Sequence, residues 1–294
     1  MSHPVPLLPG LAGIADRYDG FILDLWGVVH DGIRPYDGVV ECLRALRAAG
    51  KRVCLLSNAP RRIQAAAAKL TAMGVTPDLY DALYTSGEAS FEALRDRNDA
   101  WHAALGPRLF HIGPPRDNDV YDSLGDRARV DSPEEADFVL NTGIDDYDET
   151  LVDYAPLLQR CRNLGLPMLC ANPDLVVVID DRLVLCAGEL ARHYGELGGD
   201  VRYHGKPHAP VYRRCFDLLG GLPPGRILAV GDSLRTDIAG ANAAGIDSLL
   251  ITGGIHREEL GTVLGQLPGP AELGRLLEAS PHRPTCAAAG LRWD

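Results

Sequence analysis

The chain has 294 residues, 46% of them apolar, which is enough for two domains or one large one. Its formal net charge of −11 argues against a nucleic-acid or anionic-membrane partner, because both need clustered positive charge. There is no apolar run of membrane-spanning length and no signal-peptide pattern, so we expect a cytoplasmic protein without membrane contact. The seven cysteines are scattered without a CxxC pair, which argues against a disulfide framework or a zinc site.

The first half of the chain shows strands alternating with helices, which is typical of βαβ units and a parallel sheet. Residues 1–20 are rich in proline and glycine and are interpreted as a lead-in rather than a strand. The strands are predicted at 21–26, 53–57 and 82–86, and the helices at about 37–49, 60–73 and 87–97.

After residue 97 the pattern changes to short strands with few helices, which indicates a smaller α/β module. Here strands are predicted at 136–140, 167–171, 176–179 and 183–186, and a helix at 149–164. From Gly205 the longer rhythm resumes, with helices at about 209–219 and 235–244 and strands at 226–230 and 248–252.

One domain interrupted by another fits this pattern better than two domains in tandem. We expect a core built from residues 1–86 and 200–294, with an inserted domain at 87–199. The tail beyond residue 280 is weakly patterned and is expected to be loosely held.

Two aspartates follow apolar runs of strand length. Asp24 closes Phe21-Ile22-Leu23, and Asp232 follows the predicted strand 226–230. Ligands of open α/β sheets bind at the carboxyl ends of the strands, and paired carboxylates there suit Mg²⁺. The metal would neutralise phosphate charge and allow Asp24 to attack phosphorus. Either acid alone is better explained as the cap of a turn, but the pair together with a lysine favours a phosphoryl-transfer site.

Further polar residues lie in turns that accompany these strands. Lys206, in Gly-Lys-Pro, could hold phosphate and Asp24 together, or be a solvated loop lysine. Ser57 and Asn58 end a strand and could bind phosphate oxygen or cap the next helix. Asp237 could orient metal-bound water or Lys206, and helix capping is its alternative role.

Taken together, these segments resemble the haloacid dehalogenase superfamily, in particular its class IIA, NagD-like branch. The four matching motifs are Asp24 to Val28, Leu56 to Asn58, Gly205 to Pro207 and Gly231 to Asp237. The interval between the second and third motifs fits a class IIA cap. The resemblance implies a Rossmann-like core, with helices on both faces of a parallel sheet, and an inserted smaller α/β cap.

The resemblance also implies a mechanism and a set of site residues. Asp24 would be the nucleophile that forms an aspartyl-phosphate. Asp24, the backbone carbonyl of Trp26 and Asp232 would hold Mg²⁺, while Ser57, Asn58 and Lys206 would bind the phosphoryl group.

For the cap, the resemblance implies closure over a small phosphorylated metabolite and dimerisation of two chains. Asn172, Pro173 and Asp174 would lie near the surface that determines specificity. Sugar phosphates, nucleotides and small phosphorylated acids all fit these features.

Trp26 is the one departure from the motif pattern. Phosphatases of this superfamily usually carry a second aspartate two residues after the nucleophile, which protonates the leaving oxygen and later activates water. An indole cannot transfer that proton, although it could pack against the cap or stack on a substrate ring. General acid–base catalysis is typically worth about 10²–10⁴-fold, so we expect a slower phosphatase unless another group substitutes.

Three other functions are alternatives to a phosphatase. The first is a weakened or non-catalytic protein that binds a phosphorylated metabolite, and Trp26 motivates it. The second is dehalogenation, which is disfavoured because dehalogenases do not need Asp232 and carry a different cap. The third is acid–base chemistry by His30 and Asp31, which is disfavoured because adjacent side chains rarely point together.

Overall fold

The computed structural model describes residues 5–179 and 182–294, which form two compact units. The core unit consists of the described residues of Met1–Ser57, Ala67–Tyr84 and Lys206–Asp294. The inserted unit consists of Asn58–Ala66 and the described residues of Thr85–Gly205. The contacts thus group 58–66 with the insertion, whereas the predicted core ran to residue 86 and resumed at 200.

The strands, in chain order, are β1 Leu7–Leu8, β2 Gly20–Asp24, β3 Arg52–Ser57, β4 Ala82–Thr85, β5 Arg108–Ile112, β6 Ala128–Val130, β7 Phe138–Asn141, β8 Met168–Cys170, β9 Val176–Ile179, β10 Arg182–Leu185, β11 Val201–Tyr203, β12 Ile227–Gly231, β13 Asp247–Ile251 and β14 Cys286–Ala288.

The α-helices are α1 Val39–Ala48, α2 Ile63–Ala72, α3 Ser86–Asp96, α4 Ala100–Ala103, α5 Leu151–Asn163, α6 Ala187–Glu196, α7 Ala209–Leu218, α8 Ala239–Ala244 and α9 Pro270–Glu278. A turn of π-helix, Leu234–Ile238, precedes α8, so the predicted helix at 235–244 has two parts.

The core unit contains, within the described residues, a seven-stranded sheet in the order β1-β14-β13-β12-β2-β3-β4. The pairings from β1 through β3 in this order are parallel. Strands β2 and β12 are buried along their whole length, as expected for a sheet covered on both faces. This architecture is the one predicted for a Rossmann-like core.

Helix α1 shows how the sequence determines the packing of the core unit. Val39, Cys42, Leu43 and Leu46 are buried on one face with helical spacing. Gly38 caps the helix with φ +85°, a left-handed conformation that costs glycine little.

The inserted unit has a separate sheet of five described strands in the order β11-β8-β7-β5-β6, with every neighbouring pair parallel. Strands β9 and β10 form a two-stranded antiparallel ribbon. Helices α5 and α6 pack through buried apolar residues, among them Leu158 and Leu190, into a hydrophobic cluster that also contains Val139 of β7. Helix α5 begins with a reciprocal capping box between Thr150 and Asp153.

Both ends of the described chain are more ordered than predicted. The expectation that residues 1–20 contain no strand is wrong, because Leu7 and Leu8 pair with Ala287 and Ala288. The expectation of a loose tail is wrong too, because β14 lies between β1 and β13 and is buried. Both strands are too short to give a sequence pattern, and their burial comes from pairing with distant residues.

Across the described residues, none of the helices combines the length and the apolar character needed to cross a membrane. All seven cysteines are buried free thiols.

Because β14 is buried, we expect that a charged side chain in this strand strongly destabilises the fold. Ala287→Asp should lower the free energy of unfolding by about 4 kcal/mol or more, because it buries an unpaired carboxylate. The matched control, Ala271→Asp on the exposed first turn of α9, should change it by less than about 0.5 kcal/mol. Urea unfolding measures both, and equal stability of the two variants would show that the tail is not part of the core.

Candidate active site

The register of three parallel strands places the predicted acids at one edge of the core sheet. Asp24, the last residue of β2, pairs with Leu56 of β3, so Ser57 is one residue further along the neighbouring strand. On the other side Leu23 pairs with Val230, so Asp232 follows just beyond the end of β12. The carboxyl ends of adjacent strands therefore bring Asp24, Ser57 and Asp232 to the same edge.

Lys206 joins this edge through two buried ion pairs. Its Nζ lies 2.5 Å from Asp24 Oδ1 and 2.7 Å from Asp237 Oδ1. The lysine is only 3% exposed, which excludes the solvated-loop alternative. A buried ammonium of this kind needs charged partners, and here two carboxylates supply them.

The same surroundings shift the ionisation of Asp24. Burial, followed by the negative charge of Asp237, raises the pKa of the Asp24 carboxyl well above 3.8, while the Lys206 ammonium opposes the rise. The site thus places the Asp24 carboxylate where its charge is costly unless cations are close.

Asp232 lies between two backbone segments that leave no room for a Cβ atom. A Cβ on Gly27, which has φ +77°, would lie 1.8 Å from Asp232 Oδ2, and one on Gly254 would lie 2.2 Å from it. The N–H of Ile255 donates a hydrogen bond to the same oxygen over 2.8 Å. These contacts hold the Asp232 carboxylate in one place.

The Asp237 side chain contacts Lys206 and the backbone at the start of the helical turn that contains it. Its Oδ1 accepts from Lys206, and its Oδ2 accepts from the backbone N–H of Ser233 over 3.1 Å. The hydroxyl of Tyr212, fully buried on α7, donates to the Asp237 backbone carbonyl over 3.1 Å. The sequence reasoning missed Tyr212, since nothing in its helix distinguishes it from an ordinary core aromatic.

The three acids form a compact group suited to a cation. One carboxylate oxygen from each of Asp24, Asp232 and Asp237 lies within 4.8 Å of the others. Three carboxylates and one ammonium leave an excess of negative charge at a buried edge, and hard divalent cations prefer such oxygen ligands. The residues present therefore fit a divalent metal.

The Trp26 indole packs against its own loop. A Cβ on Gly32 would lie 2.3 Å from the indole, and the His30 ring meets the indole edge to face at 5.2 Å. His30 Nδ1 accepts the Gly32 N–H, and burial, followed by the charge of Lys69, lowers the pKa of His30 to about 4. His30 is therefore neutral at pH 7, which weakens any role for it as the missing acid.

The remaining predicted residues belong to the inserted unit. Asn58 donates from Nδ2 to Asp174 Oδ1 over 2.9 Å, and Asn172 Oδ1 accepts the Asp174 N–H over 3.0 Å. A Cβ on Gly205 would lie 2.7 Å from the Pro173 ring and 2.5 Å from Asn58 Oδ1, so these residues pack closely. The structure thus gathers Asn58 and the segment 172–174 in one part of the inserted unit.

These features define a Rossmann-like α/β protein with an acidic site suited to a divalent cation at the edge of its sheet. The family model for haloacid dehalogenase-like hydrolases matches residues 21–126, and the model for HAD-hydrolase-like proteins matches residues 203–270. The chain belongs to the haloacid dehalogenase-like hydrolase family, and within it to the class IIA phosphatases.

Solved and curated relatives agree with this assignment. A haloacid dehalogenase-like hydrolase from Brucella suis is 37% identical, with 96% of this chain and 98% of that chain covered and a TM-score of 0.81. D-glycerol 3-phosphate phosphatase from Mycobacterium tuberculosis is 29% identical over 84% of this chain and 66% of that protein. A glycerol phosphate phosphatase structure from the same organism, in complex with calcium, is 25% identical over 94% of this chain and 72% of that chain, with a TM-score of 0.68.

The close contact between Gly254 and Asp232 predicts a selective effect on metal binding. Gly254→Ala should displace the Asp232 carboxylate and weaken divalent-metal affinity about 10–100-fold, measured by titration calorimetry. The control is Gly274→Ala, because the added Cβ would lie more than 4 Å from every described atom outside its own stretch of helix. Unchanged affinity in Gly254→Ala would show that Asp232 does not contribute to the metal site.

The raised pKa of Asp24 predicts that its charge opposes folding. The cost is absent below the ordinary pKa of 3.8 and fully present above the raised folded-state pKa. Asp24→Asn should therefore raise the melting temperature of the metal-free protein at pH 7, by about 2–4 °C for each kcal/mol recovered. Calorimetry with a chelator at pH 7 and at pH 4 tests this, and a lower melting temperature at pH 7 would contradict it.

Proposed function

We propose that this chain is a Mg²⁺-dependent phosphatase that hydrolyses small-molecule phosphate monoesters, sugar phosphates among them, through an aspartyl-phosphate on Asp24. The observation that carries the proposal is the buried triad of Asp24, Lys206 and Asp237, with Asp232 beside it at the strand ends. A structural role alone would not require four charged groups in one buried place, because burying charges is costly.

Asp24, Asp232 and the backbone carbonyl of Trp26 would hold the metal in this proposal. When bound, Mg²⁺ would offset the charge of the carboxylates and of the substrate phosphate. The calcium in the relative's structure supports a divalent cation for this chain, and the carboxylate and carbonyl oxygens suit Mg²⁺.

In the first chemical step an Asp24 carboxylate oxygen attacks phosphorus. The phosphorus–oxygen bond to the leaving group breaks, and the leaving oxygen takes the electron pair. Lys206, between Asp24 and Asp237, would hold the phosphoryl oxygens beside the nucleophile. Ser57 is one residue beyond the strand partner of Asp24, and its hydroxyl would donate a hydrogen bond to the phosphoryl group.

In the second step water attacks phosphorus in the aspartyl-phosphate. The bond between phosphorus and Asp24 breaks, inorganic phosphate leaves, and the Asp24 carboxylate is regenerated. The attacking water gives its proton to solvent or to the phosphate, because position 26 provides no carboxylate to accept it.

The inserted unit would supply substrate specificity. Asn58 would add a donor to the phosphoryl group, and Asn172, Pro173 and Asp174 would contact the remainder of the substrate. The hydrogen bond from Asn58 to Asp174 supports a shared role, since it links a motif residue to the segment that we propose contacts the substrate. Dimerisation through this unit is part of the same proposal.

A second function has one observation in its favour. Trp26 occupies the position of the usual acid, and this would suit a weakened or non-catalytic protein that binds a phosphorylated metabolite. A protein that only binds phosphate has less need of a nucleophile held beside Lys206, so we favour the enzyme.

The two functions differ in whether phosphate is released. The wild-type chain with Mg²⁺ should release phosphate from 4-nitrophenyl phosphate, and Asp24→Asn should reduce the rate by at least about 10⁴-fold because the nucleophile is lost. Asp16→Asn, an exposed aspartate of the same unit, is the matched control and should keep full activity.

Near-normal release by Asp24→Asn would overturn the assignment of the nucleophile. If the wild-type chain binds Mg²⁺ and phosphate but releases no phosphate from any ester, its function is to bind a phosphorylated metabolite without hydrolysing it.

A further inference from the structure

The Trp26 indole packs against its own loop and also lies close to a cation. Lys69 Nζ, from α2, lies 5.0 Å from the centre of the indole ring. Both residues belong to the core unit, and Trp26 is only two residues beyond the nucleophile. The position that usually carries an acid thus has an aromatic ring with an ammonium group close to it.

Lysine is rare in this chain. Of its 29 basic residues only three are lysines: Lys51, Lys69 and Lys206. Lys206 is in the active site, and Lys51 donates to the Tyr18 backbone carbonyl over 2.8 Å. The other basic residues of the chain are arginines. A cation that only stacks on an aromatic ring is also more often an arginine, so a lysine at position 69 is notable. A lysine at position 69 offers a compact charge on a flexible stem instead.

Lys69 lies in the last turn of α2, and its link to the site is its contact with the indole of Trp26. In a β–α–β crossover the helix begins near the carboxyl end of the preceding strand, here β3. Helical side chains tilt toward the helix N-terminus, and a lysine side chain tilted in that way extends from the last turn of α2 back toward the carboxyl end of β3. His30, which also packs against the indole, is buried and accepts a hydrogen bond from Gly32 at Nδ1.

We propose that Lys69 is a further catalytic residue, whose ammonium contacts the departing oxygen of the substrate and stabilises its negative charge in place of the missing acid. This inference rests on the proposed phosphatase function. As the bond from phosphorus breaks, the leaving oxygen takes the electron pair, and Lys69 keeps its proton and donates a hydrogen bond. The released oxyanion then takes a proton from water, so no other reactant is needed.

The consequence is a preference among substrates. Without proton transfer, leaving groups that form stable oxyanions, such as phenols and enols, should react best. Alkyl phosphates should depend most on Lys69, because their leaving oxygens develop the largest unstabilised charge.

Lys69→Met tests this with a series of phosphate esters whose leaving groups range from 4-nitrophenol to simple alcohols. We expect kcat for alkyl phosphates to fall about 10²-fold, with only a small loss for 4-nitrophenyl phosphate, so that the rate depends more steeply on the leaving group. Lys69→Arg keeps the charge and should recover most of the alkyl activity. Lys51→Met is the matched control and should leave the dependence on the leaving group unchanged.

An equal loss on all esters, with a lower melting temperature, would show that Lys69 only packs on the indole and would overturn the proposal. Unchanged alkyl activity in Lys69→Met would overturn it as well. Neither result affects the phosphatase function, because that function depends on 4-nitrophenyl phosphate turnover and its loss in Asp24→Asn.

Discussion

The buried ammonium of Lys206 between Asp24 and Asp237 is the interaction on which the rest of the site depends. It allows two carboxylates to lie together at a dry sheet edge, and it opposes the rise that burial imposes on the pKa of Asp24. One ammonium does not balance three aspartates, since Asp232 belongs to the same group. A divalent cation and a phosphate ester would complete the charge balance, and this requirement connects the architecture to phosphoryl transfer.

The fold brings these groups together through strand register. The sequence predicts the positions of Asp24 and Asp232, because each follows an apolar run of strand length. An acid in that place marks the carboxyl end of its strand, which is the edge of the sheet where ligands bind. The tight contact of Gly254 with Asp232 could not be predicted, since it depends on residues that meet only in the folded chain. Strand β14 was missed for a similar reason, because three residues give no periodic pattern.

The tryptophan at position 26, which departs from the family motif, packs closely against its neighbours. The indole needs the bare backbone of Gly32, and it packs against both His30 and the Lys69 cation. A carboxylate at this position would make none of these aromatic contacts. The loop after β2 is therefore organised around an indole, and catalysis must proceed without the usual acid.

In the proposed mechanism Asp24 becomes phosphorylated during turnover. The most direct measurement is a rapid acid quench of the Mg²⁺-loaded wild-type chain with a phosphate ester radiolabelled in its phosphoryl group, followed by peptide mapping. We expect a transient label, lost in base, on the peptide that contains Asp24. Phosphate release without any label on that peptide, or with the label on another residue, would contradict it.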